Sequence, residues 1–193
     1  MERYSCNDDD ILICKAQNGE MDAFGCLVER YNKAIYRYLY RLVGNHSDAD
    51  DLSQDVFMYA LESINSFKVG TNFTAWLYTI ARNRYFNFHK KKSRETVLPK
   101  NAVETLACEN SDPANPVSPG VDEVHKAVTR AVEGLPIEQR QVVVLHIMEG
   151  LPHKEIAEIM DCNEKTIRWR LFWARKKLKK TLNDYLTILE QED

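Results

Sequence analysis

Apolar residues recur along this chain at intervals of three and four, the spacing of amphipathic helices. The periodicity predicts helices over residues 8–17, 22–43, 48–64, 73–90, 122–134, 137–149, 153–160 and 164–185. No segment shows the strict alternation of a half-buried strand. The punctuation agrees with these elements. Gly44 follows the second helix as a C-terminal stop, Ser47 is placed to cap the third, and Asn72 the fourth. Pro136 stands where a first helical turn tolerates proline. The chain is expected to be all-α.

The pattern lapses between Ser93 and Gly120. That stretch carries Pro99, Pro113, Pro116, Pro119 and Gly120 among Asn, Ser and Asp, the composition of a flexible linker. A loop so long inside one compact domain would be unusual. The expected organisation is a helical domain over residues 1–92, an acidic, proline-containing linker over 93–120, and a second helical domain over 121–193. There is no internal repeat.

Composition narrows the function. The chain has 193 residues, 44% hydrophobic and 28% charged, which suits a globular protein with room for one or two cores. No apolar run is long enough to span a membrane. The N-terminal MERYSCNDDD lacks a basic-then-apolar signal pattern, so a cytoplasmic location is expected. Cys6, Cys14, Cys26, Cys108 and Cys162 form no CxxC pair, which indicates neither a disulfide framework nor a zinc site. No Walker motif or Gly-rich phosphate loop is present, and the histidines are scattered. Neither cofactor nor metal is expected, and the chain is not read as an enzyme.

The net charge of −3 alone argues against nucleic acid, but its distribution does not. Arg82 to Arg94 holds six basic residues and no acid; Lys165 to Lys180 holds eight and no acid. Both stretches carry aromatics. Two concentrated basic segments are the electrostatic footprint of a polyanion partner.

The segment LPHKEIAEIMDCNEKTIRWRLFWARKKLKK has helix-turn-helix anatomy. His153 to Met160 is a short helix and Asp161-Cys162-Asn163 a tight turn, in which Asp or Asn tolerates a left-handed backbone. Asn163 can cap the second helix, which runs from about Glu164 to about Leu182. Ala157 is small where the two helices approach, and Ile156, Ile159 and Ile167 supply core. At 100° per residue, Ile167, Leu171, Ala174, Leu178 and Leu182 make one stripe. Opposite lie Lys165, Trp169, Phe172, Trp173, Lys176 and Lys180. Such aromatics either pack on the preceding helix or on another protomer, or they read DNA, touching base edges and thymine methyls while lysines meet phosphate. Arg168 and Arg175 flank them.

Two features stand out in the N-terminal half. In SDADDLSQDVF, a helix would turn Ala49, Leu52, Val56 and Ala60 inward, and Asp51, Gln54, Asp55, Met58 and Glu62 outward. An acidic first turn favours the helix dipole, but that does not explain Asp55, Met58 and Glu62. A protein-binding face does. In the helix beginning at Phe73, the predicted core stripe is Phe73, Trp76, Leu77, Ile80 and Phe88. Tyr78, Tyr85 and Phe86 lie off it among Arg82, His89 and Lys90. Aromatics among cations suit single-stranded nucleic acid.

With these motifs in this order, the chain resembles the extracytoplasmic-function group of bacterial RNA polymerase sigma factors, in the sigma-70 family. DADDLSQDVF, FTAWLYTIARN and EGLPHKEIAEIMDCNEKTIRWRLFWARKKL carry the likeness. Phe24 to Lys92 looks like region 2 and Leu135 to Leu182 like region 4, with no region-3 domain between them. The resemblance implies that the chain directs core RNA polymerase to promoters and helps melt the −10 element. Asp48, Asp51, Leu52, Gln54, Asp55, Phe57 and Met58 would bind the clamp coiled coil of the β′ subunit, and the C-terminal domain would meet the β flap. Asn83, with Phe67 and the loop to Asn72, would capture a flipped non-template base of the −10 element; Trp76, Tyr78, Arg82, Tyr85 and Phe86 would line that strand. Lys165, Thr166, Arg168, Trp169, Phe172, Trp173 and Lys176 would meet the −35 element. Trp169 stands where the family often has a small polar residue and Trp173 where a basic one is common, which makes this base code unusual. An anti-sigma protein is implied as a further partner. The alternatives are a stand-alone helix-turn-helix regulator, which leaves the acidic strip unexplained, and, further off, a nucleic-acid enzyme using Asp48, Asp50, Asp51 and Asp55.

A free linker over residues 93–120 has a root-mean-square span of roughly 30 Å, whereas elements two helical turns apart are separated by about 70 Å. Random coil would not hold that spacing, so polymerase is expected to set it. Free protein should therefore bind promoter DNA weakly in gel-shift titrations. Tight binding that depends on −10/−35 spacing without polymerase would contradict this.

Overall fold

The computed structural model describes residues 9–96 and 119–192. It separates into two compact units, one within residues 1–103 and one within 104–193. All regular elements among the described residues are helical.

The N-terminal unit contains α1 (Asp9–Gln17), α2 (Met21–Val43), α3 (His46–Ser63) and α4 (Phe73–Thr96), with one 3-10 turn at Ile64–Ser66. α2 is the central element and packs against α1, α3 and α4. Its buried residues Ala23, Phe24, Leu27, Ile35, Tyr38, Leu39 and Leu42 follow the helical period along one side. α2 ends at Gly44, whose φ of 79° is left-handed and whose N–H reaches the Tyr40 carbonyl at 2.8 Å. The cap of α3 is Asn45 and not Ser47: the Asn45 side chain accepts from the Asp48 N–H at 2.8 Å. The chain turns back as soon as it leaves α2, so the cap falls two residues before the position that the sequence suggested. Asn72 caps α4 as expected, accepting from the Ala75 N–H at 2.9 Å.

α4 buries a wider arc than the predicted stripe. Phe73, Leu77 and Ile80 are buried as expected, but so are Tyr78 and Tyr85, while Trp76 and Phe88 are only half-buried. The cause is that α4 packs against α2 and α3 together. Tyr78 meets Tyr38 of α2 edge to face, with ring centroids 5.2 Å apart. The Tyr85 hydroxyl donates to the Leu42 carbonyl at 3.4 Å. α4 also continues to Thr96 and the next helix starts at Pro119, so residues 93–96 and 119–120 are helical where a linker was expected. No proline interrupts Ser93–Thr96, and proline is tolerated in a first turn. The rest of the expected linker lies outside the described residues.

The C-terminal unit contains α5 (Pro119–Glu133), α6 (Ile137–Val143), α7 (His153–Ile159) and α8 (Glu164–Glu192). α8 packs against α5, α6 and α7. The single helix predicted over 137–149 is α6 followed by a π turn at Val144–Met148, closed by the Glu149 N–H on the Val144 carbonyl at 3.0 Å. Four consecutive apolar residues, Val142 to Leu145, are all buried here. The wider turn accompanies that run.

Between α7 and α8 the chain makes a Schellman turn. The Cys162 N–H bonds the Ala157 carbonyl at 3.0 Å and the Asp161 N–H bonds that of Glu158 at 3.3 Å. Asp161 sits at φ 48°, the left-handed backbone that the turn requires. Asn163 then caps α8, accepting from the Thr166 N–H at 2.8 Å. Ile156, Ile159 and Ile167 are fully buried, while Leu178 and Leu182 are half-buried, so the core stripe of α8 thins toward its C-terminal half. The cap assignment gives a direct test. Asn45→Ala is expected to cost about 1 kcal/mol in urea unfolding, whereas Ser47→Ala should be close to neutral.

Candidate nucleic-acid interface

α8 is divided by its packing. Ile167, Leu171 and Ala174 are buried, and on the other side Trp169, Phe172 and Trp173 are 58%, 61% and 40% exposed. The three rings form one group. Trp169 and Trp173 lie 6.3 Å apart, and Phe172 and Trp173 5.6 Å apart, both edge to face. Lys176 Nζ stands 5.0 Å above the Trp173 ring. No element of the described unit covers these aromatics, which leaves recognition or packing on another protomer.

The basic residues of α8 divide in the same way. Arg170 pairs with Glu138 of α6 and lies 3.9 Å from Cys162 Sγ, and Lys177 donates to the Gly134 carbonyl at 2.7 Å. These two tie α8 to its neighbours. Lys165, Arg168, Arg175, Lys176, Lys179 and Lys180 are exposed, and Thr166 is held by the Asn163 cap. Arg168 is bonded to Glu164 one turn back, at 2.9 Å. An open groove between His153 of α7 and α8 is lined by Arg168, Phe172, Arg175, Lys176 and Lys179. Four cations and a ring edge in one groove suit a phosphate and its sugar. The His153 ring lies 4.6 Å from that of His146. Burial, His146 and Arg168 together hold its pKa below the ordinary value, which favours the neutral ring.

In the N-terminal unit the expected single-strand site is only partly assembled at the surface. Phe67 is buried against Phe73 and Trp76, with centroids 5.3 and 5.1 Å away. Trp76 is half-buried; Asn72 and Asn83 are exposed, and Phe86 is 49% exposed. Trp76 and Asn83, seven residues apart, share a row on α4. Arg82 bonds the Asn83 side chain at 3.3 Å. Tyr78 and Tyr85 are core residues and offer no stacking platform. Two basic residues of this helix are engaged with α3: Arg84 pairs with Asp55 at 3.3 Å and covers the Tyr59 ring, and Lys92 pairs with Asp48 at 3.0 Å.

On α3 the outward positions are as expected. Asp51, Gln54 and Glu62 are exposed, Met58 is 63% exposed, and Asp55 is half-buried. Leu52 and Phe57 are buried, and Asp48 is committed to the helix start and to Lys92. Asn45 and Lys92 hold the Asp48 carboxyl below its usual pKa against the opposing effect of burial. The structure adds what α3 alone could not indicate: a groove between α2 and α3, with Phe24, Val28, Tyr36, Gln54, Phe57 and Met58 among its lining residues. Val28 and Tyr36 fall just beside the buried stripe of α2, and that offset was the one sequence signal for it.

Residues 27–95 match the Sigma-70 region 2 family and residues 125–178 match Sigma-70, region 4. The ECF RNA polymerase sigma-E factor of Escherichia coli (strain K12) is 32% identical over 180 residues, covering 88% of this chain and 92% of that protein. The chain belongs to the extracytoplasmic-function sigma factors. The sigma factor BldN of Streptomyces coelicolor is 35% identical over 175 residues, covering 90% of this chain and 65% of that protein.

Two solved structures share the architecture. CnrH in complex with the cytosolic domain of CnrY has a TM-score of 0.69 at 24% identity, covering 91% of this chain and 97% of that one. The sigma factor RpoE of Bartonella quintana, in complex with the anti-sigma factor NepR, has a TM-score of 0.68 at 27% identity, covering 83% and 96%. As a sigma factor, the chain directs core RNA polymerase to promoters. Among the described residues of this sigma factor, no group of three or more His, Cys, Asp or Glu is placed to hold a metal. No described helix is long and apolar enough to cross a membrane. Cys14, Cys26 and Cys162 are in no disulfide; Cys6 and Cys108 lie outside the described residues.

Proposed function

We propose that this sigma factor is a two-site promoter clamp that works by binding alone, in the cytoplasm. α8 enters the major groove at the −35 element. Trp169, Phe172 and Trp173 meet base edges and thymine methyls. Lys165, Thr166, Arg168, Arg175 and Lys176 meet phosphate or base. α4 and the loop before it receive the melted −10 strand, with a flipped base held near Asn83 and Trp76 and with Phe86 and Arg82 alongside. Phe67 supports that pocket from the core. The groove between α2 and α3, with Asp51, Gln54, Asp55 and Met58 at its edge, docks on the β′ clamp coiled coil, and the C-terminal unit meets the β flap. An anti-sigma protein binds the factor, as the anti-sigma factor NepR binds RpoE of Bartonella quintana.

The observation that carries this reading is the exposed Trp169–Phe172–Trp173 group among cations on the second helix of a helix-turn-helix. Large rings left in water on such a helix are costly unless a partner covers them. Run-off transcription from a promoter library, with purified core polymerase and this chain added, tests the reading. Initiation should depend on the added chain. Trp173→Ala should flatten base preference at one or two −35 positions by about 1 kcal/mol or more, with core binding unchanged. Unaltered −35 preference would show that the aromatic face reads something else.

A further inference from the structure

The loop between the 3-10 turn and α4, residues Phe67–Asn72, closes on itself. The Thr71 backbone N–H (3.2 Å) and hydroxyl (2.7 Å) both bond the Lys68 carbonyl. Gly70 takes φ +83°, which L side chains rarely adopt. These bonds shape the tip but do not fix where it stands.

Long-range bonds to the loop come from α1. The Gln17 side-chain amide donates to the carbonyls of Ile64 (2.9 Å), the first residue of the 3-10 turn, and Phe67 (2.8 Å), the first residue of the loop. The Gly70 N–H at the tip donates to Asp10 Oδ1 at 3.1 Å. α1 is itself firmly seated. Leu12, Ile13 and Ala16 are buried, and Asp9 bonds Arg30 and Tyr31 of α2. All of α1 precedes the region-2 match, which begins at residue 27.

We propose that α1 is a brace for the −10 loop, with Gln17 and Asp10 as positioning residues that fix both its start and its tip before DNA arrives. The proposal rests on the reading of this loop as the acceptor of a −10 base. Neither side chain needs to touch DNA. Their effect is to reduce the entropy lost when a single strand docks, because the loop is already ordered. Gln17 suits the role because one amide group carries two N–H donors for two carbonyls. Asp10 suits it because it needs only an acceptor.

The test uses the full chain with core polymerase on a promoter recovered by the library selection. Asp10→Ala should slow permanganate-detected opening about fivefold, the effect of one hydrogen bond, and Gln17→Met, which removes two, about twenty-five-fold. Each should also shrink discrimination against a substituted −10 base. Core affinity should stay at its wild-type value, and the melting temperature should fall by only the few degrees that the lost bonds cost. Asp10→Asn keeps an acceptor oxygen and should restore wild-type opening. Asn83→Ala, assayed alongside, tests the −10 reading itself. If Asn83→Ala abolishes −10 discrimination while the two α1 variants keep it, the brace is overturned and the reading stands. If none of the three changes discrimination, the reading of the loop is wrong and the brace falls with it. Parallel loss of core affinity would reduce α1 to a folding element and also overturn the proposal. Should Gln17→Met fail to fold, amide exchange decides: Gly70 should exchange faster in Asp10→Ala than in Asp10→Asn, with helix protection unchanged. Equal exchange would overturn the brace.

Discussion

Burial of Ile167, Leu171 and Ala174 fixes the rotation of α8 about its own axis. Once those three face α5, α6 and α7, the period of the helix leaves Trp169, Phe172 and Trp173 no place inside. The Schellman turn at Asp161 and the Asn163 cap set where the helix starts, and therefore which residues stand at its N-terminal end. Arg170 and Lys177 hold the same rotation from the sides, through Glu138 and the Gly134 carbonyl. The exposed face is thus a consequence of the core. A change at Ile167 would disturb the exposed face without altering any of its residues.

The N-terminal unit follows a similar rule with a broader core. α4 lies against two helices, so its apolar arc takes in Tyr78 and Tyr85 and leaves Trp76, Asn83 and Phe86 at or near the surface. Charge is divided in the same way. Arg84 and Lys92 pair with Asp55 and Asp48 of α3 and bind the two helices to each other. Asp51 and Gln54 stay exposed beside the groove between α2 and α3. A net charge of −3 therefore conceals surfaces of opposite character: an acidic edge on α3 and a cationic groove on α8.

Much of this was legible in the sequence because it is local. Helical period, the Gly44 stop, the Asn72 and Asn163 caps and the left-handed residue at Asp161 all depend on near neighbours. So does the inward set Ala49, Leu52, Val56 and Ala60, each of which is buried. What escaped depends on tertiary neighbours. Tyr78 and Tyr85 sit off the main stripe of α4, and only the simultaneous contact with α2 and α3 buries them. Asn45 and Ser47 are both good caps by type, and the tight exit from α2 selects the first. The groove beside Val28 and Tyr36 needs two helices to exist. The bonds from Gln17 and Asp10 to the 3-10 turn and the loop after it span 47 to 60 residues, beyond any local pattern.

On the proposed function, two separate faces of one chain grip two promoter elements only when polymerase holds them. Photocrosslinking from single benzophenone side chains at positions 86 and 173, in the promoter complex with core polymerase, addresses it most directly. The account predicts that position 173 labels −35 duplex and position 86 labels the −10 non-template strand, both only with core present. Labelling of one common segment from both positions, or equal labelling without core, would contradict it.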